Sequence, residues 1–235
     1  MADFKTHIAV SSLCGAGYAG AGYLMWDFTW STSCLTAGLC GLAGMLPDLD
    51  SDSGIPLRET LAFSAAVIPL LMIERFALLG MTPEEIALSG ASVYFMMRFG
   101  VGNLLKRYTV HRGMFHSLPG MLMVGLVAFL VCQSQDLNVR YYKAGGVMLG
   151  YLSHLCMDEL YSIEWIGFRI RIKKSFGTAL KLYSRNLWGD ASAYIKLILL
   201  TWLAMNDPVW MKPYDRPDAN QRTIMAETLL DRIRK

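Results

Sequence analysis

Residues 8–26 and 28–47 carry no charged side chain, and Asp27 alone stands between them. Uncharged runs of roughly 20 residues have the length a helix needs to cross a bilayer, where every backbone N–H and C=O must be satisfied within the segment. Gly and Ala recur through the first run, as close helix packing in lipid requires. Further apolar segments at 60–80, 86–105, 117–134 and 144–163 bring the expected total to about six spans. The expected fold is therefore all-α, a polytopic transmembrane helical bundle. A last apolar segment, 191–205, is short for a full crossing.

Composition agrees. Charged residues make up 17% of the chain, against roughly 25% in soluble domains. The formal charge of +3 is too small, and the basic residues too little interleaved with aromatics, to expect a nucleic-acid partner. The five cysteines lie in apolar stretches without a CxxC pair, and their odd number argues against a disulfide framework; they read as small buried thiols. The N-terminal residues mix Asp3 with Lys5 and do not resemble a cleavable signal, so the first helix is expected to be retained. Residues 1–205 form the expected membrane domain. A polar tail, 206–235, follows with a small amphipathic helix at 222–233.

Punctuation is clear in two places. Thr82, Pro83, Glu84 and Glu85 read as N-cap, first position and acidic first turn of a helix. Ser117 before Pro119 reads as the cap of the fifth helix. The stretch 168–185 is basic, and residues 168–173 alternate apolar and basic in a strand-like pattern, fit for an interface or for anionic lipid headgroups.

All four histidines fall in motifs that hold another ligand-type residue: Thr6-His7, His111-Arg112-Gly113-Met114-Phe115-His116-Ser117, and Ser153-His154-Leu155-Cys156-Met157-Asp158. Leu46-Pro47-Asp48-Leu49-Asp50 adds two carboxylates. His154 and Asp158, four apart, share a helix face, and an aspartate inside a membrane helix is a functional candidate by default. Cys156 points away from that face. The candidate metal ligands are His7, Asp48, Asp50, His111, His116, His154 and Asp158. Seven candidates exceed the three of a single catalytic zinc and suit one or two divalent ions, zinc first, with manganese or iron as alternatives. Arg112 suits phosphate oxygens. The implied chemistry is hydrolysis by metal-activated water, with Asp50 or Asp158 as general base.

Membrane topology supplies a separate argument. Basic residues mark the cytoplasmic side, and Lys106, Arg107 and Arg112 lie an even number of expected crossings from Arg169, Arg171, Lys173, Lys174, Lys181 and Arg185. The same count puts the N-terminus, the Asp48–Glu59 loop and the Asp158 end of the sixth helix on that face. The expected metal site is thus at the cytoplasmic face of a multi-pass plasma-membrane protein.

The ordered set T-H, L-P-D-L-D, H-R-G-x-x-H-S and G-Y-L-S-H-x-x-x-D, over roughly residues 1–190, resembles the YdjM-like family of LexA-regulated inner-membrane proteins described as metal-dependent hydrolases. The resemblance implies a membrane location and a metal-dependent hydrolase. It matches His7, Asp48, Asp50, His111, Arg112, His116, His154 and Asp158 to the family's motif residues. The basic stretch 168–185, with Gly177 and no proline, departs from the Gly-rich, Pro-containing segment common there. Membrane lipid is the expected partner, and an anionic lipid or other phosphoester the expected substrate. A membrane metal transporter or sensor without turnover is the competing reading; it needs ligands near mid-membrane with access from both sides.

Overall fold

The computed structural model describes residues 3–50, 54–101, 116–134, 136–166, 169–172, 177, 179–184 and 186–207; for residues 49–50, 54–57, 59, 101, 164–166 and 169–172 it describes the backbone alone. Helix α1 (Phe4–Met25) starts at Asp3, whose carboxylate caps it by accepting from the Thr6 N–H. Helix α2 (Trp30–Ala43) starts at Thr29 and runs into a 3₁₀ turn, Leu46–Asp50. Helices α3 (Gly54–Leu71) and α4 (Ile73–Leu78) follow. Helix α5 (Pro83–Phe95) begins with the expected Thr82 cap, closed by Glu85 into a capping box, and passes into a π turn, Met96–Val101. Helix α6 (Leu118–Val131) starts at the expected Ser117 cap, and α7 is Leu137–Leu160. Strands β1 (Ile163–Ile166) and β2 (Arg169–Ile172) form an antiparallel hairpin, so the alternating stretch does pair as a strand. Helix α8 (Leu187–Met205) follows.

The fold is helical, with that hairpin as its one sheet among the described residues. The expectation of six full spans is not met. Among the described residues two helices are long and apolar enough to cross a membrane, Phe4–Met25 and Thr60–Leu78, the latter continuous through α3 and α4. The reason lies in helix boundaries. Thr29 and the turn at Gly44 trim the uncharged run 28–47 to a 14-residue helix, only about 21 Å at 1.5 Å per residue. Helix α6 is equally short. Helix α7 is long enough but carries Arg140, Lys143, Asp158 and Glu159, and α8 carries Asp190 and Lys196.

The centre of the bundle is α1, α2 and α7. The contacts of α1 run antiparallel to both partners: Ser11 bonds Gly41 and Tyr18 meets Tyr142. Helices α2 and α7 run parallel, with Thr36 against Gly146, Cys40 against Gly150 and Gly44 against His154. Small residues allow this approach. A Cβ on Gly150 would lie 1.9 Å from the Cys40 carbonyl oxygen, and one on Gly15 would lie 2.7 Å from that of Ala37. The Cys40 thiol donates to the Ser11 carbonyl at 3.3 Å, and the Ser11 hydroxyl to the Gly41 carbonyl at 3.1 Å. Cys40 and Cys132 are buried as expected, whereas Cys34 is exposed on α2.

A buried charge network closes the bundle at the α7 N-terminus, which begins seven residues before the predicted start, at the Asp136 cap. Arg140, fully buried, bonds both Asp207 oxygens (3.1 and 3.2 Å) and the Phe129 carbonyl, with its guanidinium 4.0 Å from the Phe129 ring. Arg75 bonds Asp207 at 2.9 Å and the Leu130 carbonyl. Two arginines thus satisfy the last carbonyls of α6. Asp207, just beyond the expected domain boundary at 205, is buried in the bundle.

Candidate metal centre

Four segments deliver side chains to one end of this bundle. The Asp3 cap starts α1 so that His7 falls one turn in, on the buried face. The end of α2 leaves the Gly44 carbonyl beside α7, and the 3₁₀ turn beyond it carries Asp48. Ser117, extended and capping Gly120 N–H at 3.2 Å, holds His116 at the mouth of α6. Helix α7 supplies His154 and Asp158 on one face.

His154 is the hub. Its Nδ1 lies 2.7 Å from the Gly44 carbonyl oxygen. A carbonyl only accepts, so Nδ1 carries the proton and Nε2 is left with a lone pair. That Nε2 is buried without a hydrogen-bond partner. It faces two carboxylates, Asp48 Oδ1 at 3.6 Å and Asp158 Oδ2 at 3.7 Å. His116 Nε2 faces the same two oxygens at 3.6 and 3.9 Å. His7 Nε2 lies 3.4 Å from the other Asp158 oxygen.

These separations are long for direct hydrogen bonds and close to those around a shared ion. Two ligand atoms ~2.1 Å from a tetrahedral metal stand about 3.4 Å apart. Two trios hold their ligand atoms within 4.8 Å of one another: Asp48, His116 and His154, and His7, His154 and Asp158. Both include His154, whose single free lone pair can serve only one ion, so the two trios cannot both be filled through it. The His116 and His154 rings are inclined at 65°, as convergent ligands are. The His7 and His154 rings stack 3.7 Å apart at 14°, which sets their nitrogens side by side. His7 is thereby placed beside Asp158. The backbone carbonyl behind His154 is the kind of outer partner that fixes a ligating imidazole. The residues therefore fit a divalent cation of the kind imidazole and carboxylate prefer.

Asp48 is tuned to remain a carboxylate. Burial pushes its carboxyl up, but the neighbouring imidazoles, His116 first, outweigh it and hold the group below the ordinary range.

Five of the seven expected ligands thus meet: His7, Asp48, His116, His154 and Asp158. His111, Arg112 and the side chain of Asp50 lie outside the described residues. Two features of the site were not apparent in the sequence. One is the Gly44 carbonyl, signalled only by the spacing of Gly38, Gly41 and Gly44. The other is a strap formed within the basic stretch. Glu159 accepts hydrogen bonds from the Gly177 and Ala179 N–H groups. The Lys181 carbonyl accepts from the Leu118 N–H at 3.1 Å, and Ala179 is buried against Tyr151 and Leu155. This part of the stretch packs over the histidine end of α6 and α7.

The family model described as YdjM inner membrane protein matches residues 1–171, which takes in every residue of the cluster. No curated protein and no solved structure matches the chain.

Proposed function

The chain belongs to the YdjM inner membrane protein family, and on that premise we propose that it is a membrane-embedded metal-dependent hydrolase of phosphoesters, phospholipid-like substrates first. One observation carries the reading: the buried His154 Nε2, its tautomer set by Gly44, faces Asp48 and Asp158 together with His116. A divalent cation bound there, zinc first and manganese or iron as alternatives, supplies Lewis acidity and brings the pKa of water toward neutrality. Asp48, His116 and His154 are the primary ligands in this reading. Asp158, held on its other oxygen by His7, is oriented either as a fourth ligand or to accept the proton of the attacking water; Asp50 is the other candidate base. Arg112, by its planar fork, binds the anionic phosphoryl oxygens. The Ala179–Lys181 strap limits water at this end of the bundle. The basic residues in the flanking segments favour the cytoplasmic side for the cluster in this reading.

The test is metal analysis of the detergent-purified protein beside His116→Ala and His154→Ala, then a panel of soluble and lipid phosphoesters. The reading expects near-stoichiometric metal in the wild type, loss in both variants, and ester cleavage that disappears with the metal. Full metal retention in both variants overturns it. Bound metal with ion flux in liposomes and no ester cleavage replaces it with a transporter.

A further inference from the structure

At the other end of α1 and α7 from the histidines lies an open cleft of about 700 Å³. We propose that it binds an organic ammonium ion, of the kind carried by ethanolamine or choline and by the headgroups of zwitterionic phospholipids. The back wall is a three-ring stack. Tyr142, buried, lies between Phe28 (4.2 Å, 17°) and Tyr18 (4.8 Å, 21°), with Trp26 edge-on to both tyrosines at 5.6 and 6.0 Å. The stack is fixed: the Tyr142 hydroxyl donates to the Tyr18 carbonyl at 3.2 Å and sits where a Cβ on Gly22 would be. Trp26 and Tyr141 are half exposed along the cleft. Two carboxylates, Asp27 and Asp136, also line it, and among the described lining residues none is basic.

Aromatic faces attract cations, and quaternary or primary ammonium groups are commonly bound in such aromatic settings with a carboxylate nearby. Aromatic rings at the ends of membrane helices are ordinary in themselves. A belt of that kind does not call for two carboxylates in the same cleft. Nor does it call for Asp27, the one charge between residues 8 and 47, which is held in the left-handed region at φ 62°. That conformation ends α1 and turns Phe28 back so that its N–H bonds the Gly22 carbonyl. The same turn sets the charge and the ring on one cleft. Asp136 caps α7 by accepting from the Asn138 N–H.

The test uses the full chain. In detergent, choline and ethanolamine are titrated calorimetrically into wild type, Asp27→Asn and Trp26→Ala. In nanodiscs, melting temperatures are compared in phosphatidylethanolamine and phosphatidylglycerol. Asparagine keeps the side-chain size and tolerates the left-handed backbone, so Asp27→Asn removes the charge without the turn. Saturable binding of a soluble ammonium, weakened at least tenfold in Asp27→Asn, identifies a free-ion site. Stabilisation specific to phosphatidylethanolamine, absent in Asp27→Asn, identifies a headgroup site. His154→Ala leaves either signal intact, because the two ends are separate. Absence of both signals in the wild type, or equal signals in wild type and Asp27→Asn, overturns the proposal.

Discussion

Replacing Gly150 by alanine sets two physical effects against each other. On helix propensity alone the change stabilises, by about 1 kcal/mol. Packing says otherwise. The new Cβ would sit 1.9 Å from the Cys40 carbonyl oxygen and 2.8 Å from its carbon, where ordinary contact begins near 3.4 Å. The obstacle is backbone, so no rotamer change relieves it, and α2 and α7 must part by about 1.5 Å at this level. One turn further on, the 2.7 Å bond from His154 to the Gly44 carbonyl spans the same pair of helices. A comparable shift there takes it past 3.5 Å, beyond hydrogen-bond range. Overpacking costs about 1–3 kcal/mol, and losing the outer partner of a ligating imidazole lowers metal affinity about 10–100-fold. Gly150→Ala should therefore melt below wild type in detergent and bind zinc at least tenfold more weakly by competition with a chelating dye. Gly38→Ala, where the Cβ meets nothing within 4 Å, is the control and should be neutral or stabilising. A Gly150→Ala protein as stable as wild type, with unchanged zinc affinity, refutes the claim that the α2–α7 contact sets the site.

Ser117→Ala removes the cap beside His116 and should cost about 1 kcal/mol in chemical denaturation, with zinc affinity reduced and stoichiometry kept. Arg140→Ala leaves Asp207 buried with part of its neutralisation gone and should cost about 3–5 kcal/mol, read as a lowered melting point; Arg140→Met with Asp207→Leu should recover part of that loss. Glu159→Gln weakens the strap's anchor, and hydrogen exchange at residues 179–184 should speed up while exchange in α1 is unchanged. Chelator should lower the melting temperature of the wild type and leave that of His154→Ala unmoved, because only the former loses a bound ion.

Local chemistry made some of this legible. Thr82 and Ser117 are caps because their neighbours leave no better use for a short hydroxyl at a helix mouth, and both helices start where that reading puts them. The grouping of His7, Asp48, His116, His154 and Asp158 was legible for a different reason: imidazoles and carboxylates are costly in apolar surroundings unless they meet. Helix length was not legible in the same way. An uncharged run reports what a segment can tolerate. Its boundaries depend on Thr29 and on the Gly44 turn, which fix where hydrogen bonding begins and ends. Arg140 shows the opposite error. A charge looks like a helix end until Asp207, 67 residues away, neutralises it.

The pairing of α1 with α7 explains why the two unusual ends differ. Antiparallel helices of 22 and 24 residues put the start of one against the end of the other. His7 meets Asp158 at one end, and the Tyr18–Phe28 region meets Asp136 and Tyr142 at the other. Such helices are roughly 33–36 Å long, enough to span the hydrocarbon core, so neither group of polar residues needs to sit at its middle. Helix α7 is as long as α1 but less apolar, and its polar residues are paired inside the bundle: Asp158 is drawn into the histidine cluster, Arg140 is bonded to Asp207, and Gly146 and Gly150 give their face to α2. The polarity that keeps α7 from passing as a span is met by its neighbours, and the histidine cluster at one of its ends is part of what meets it.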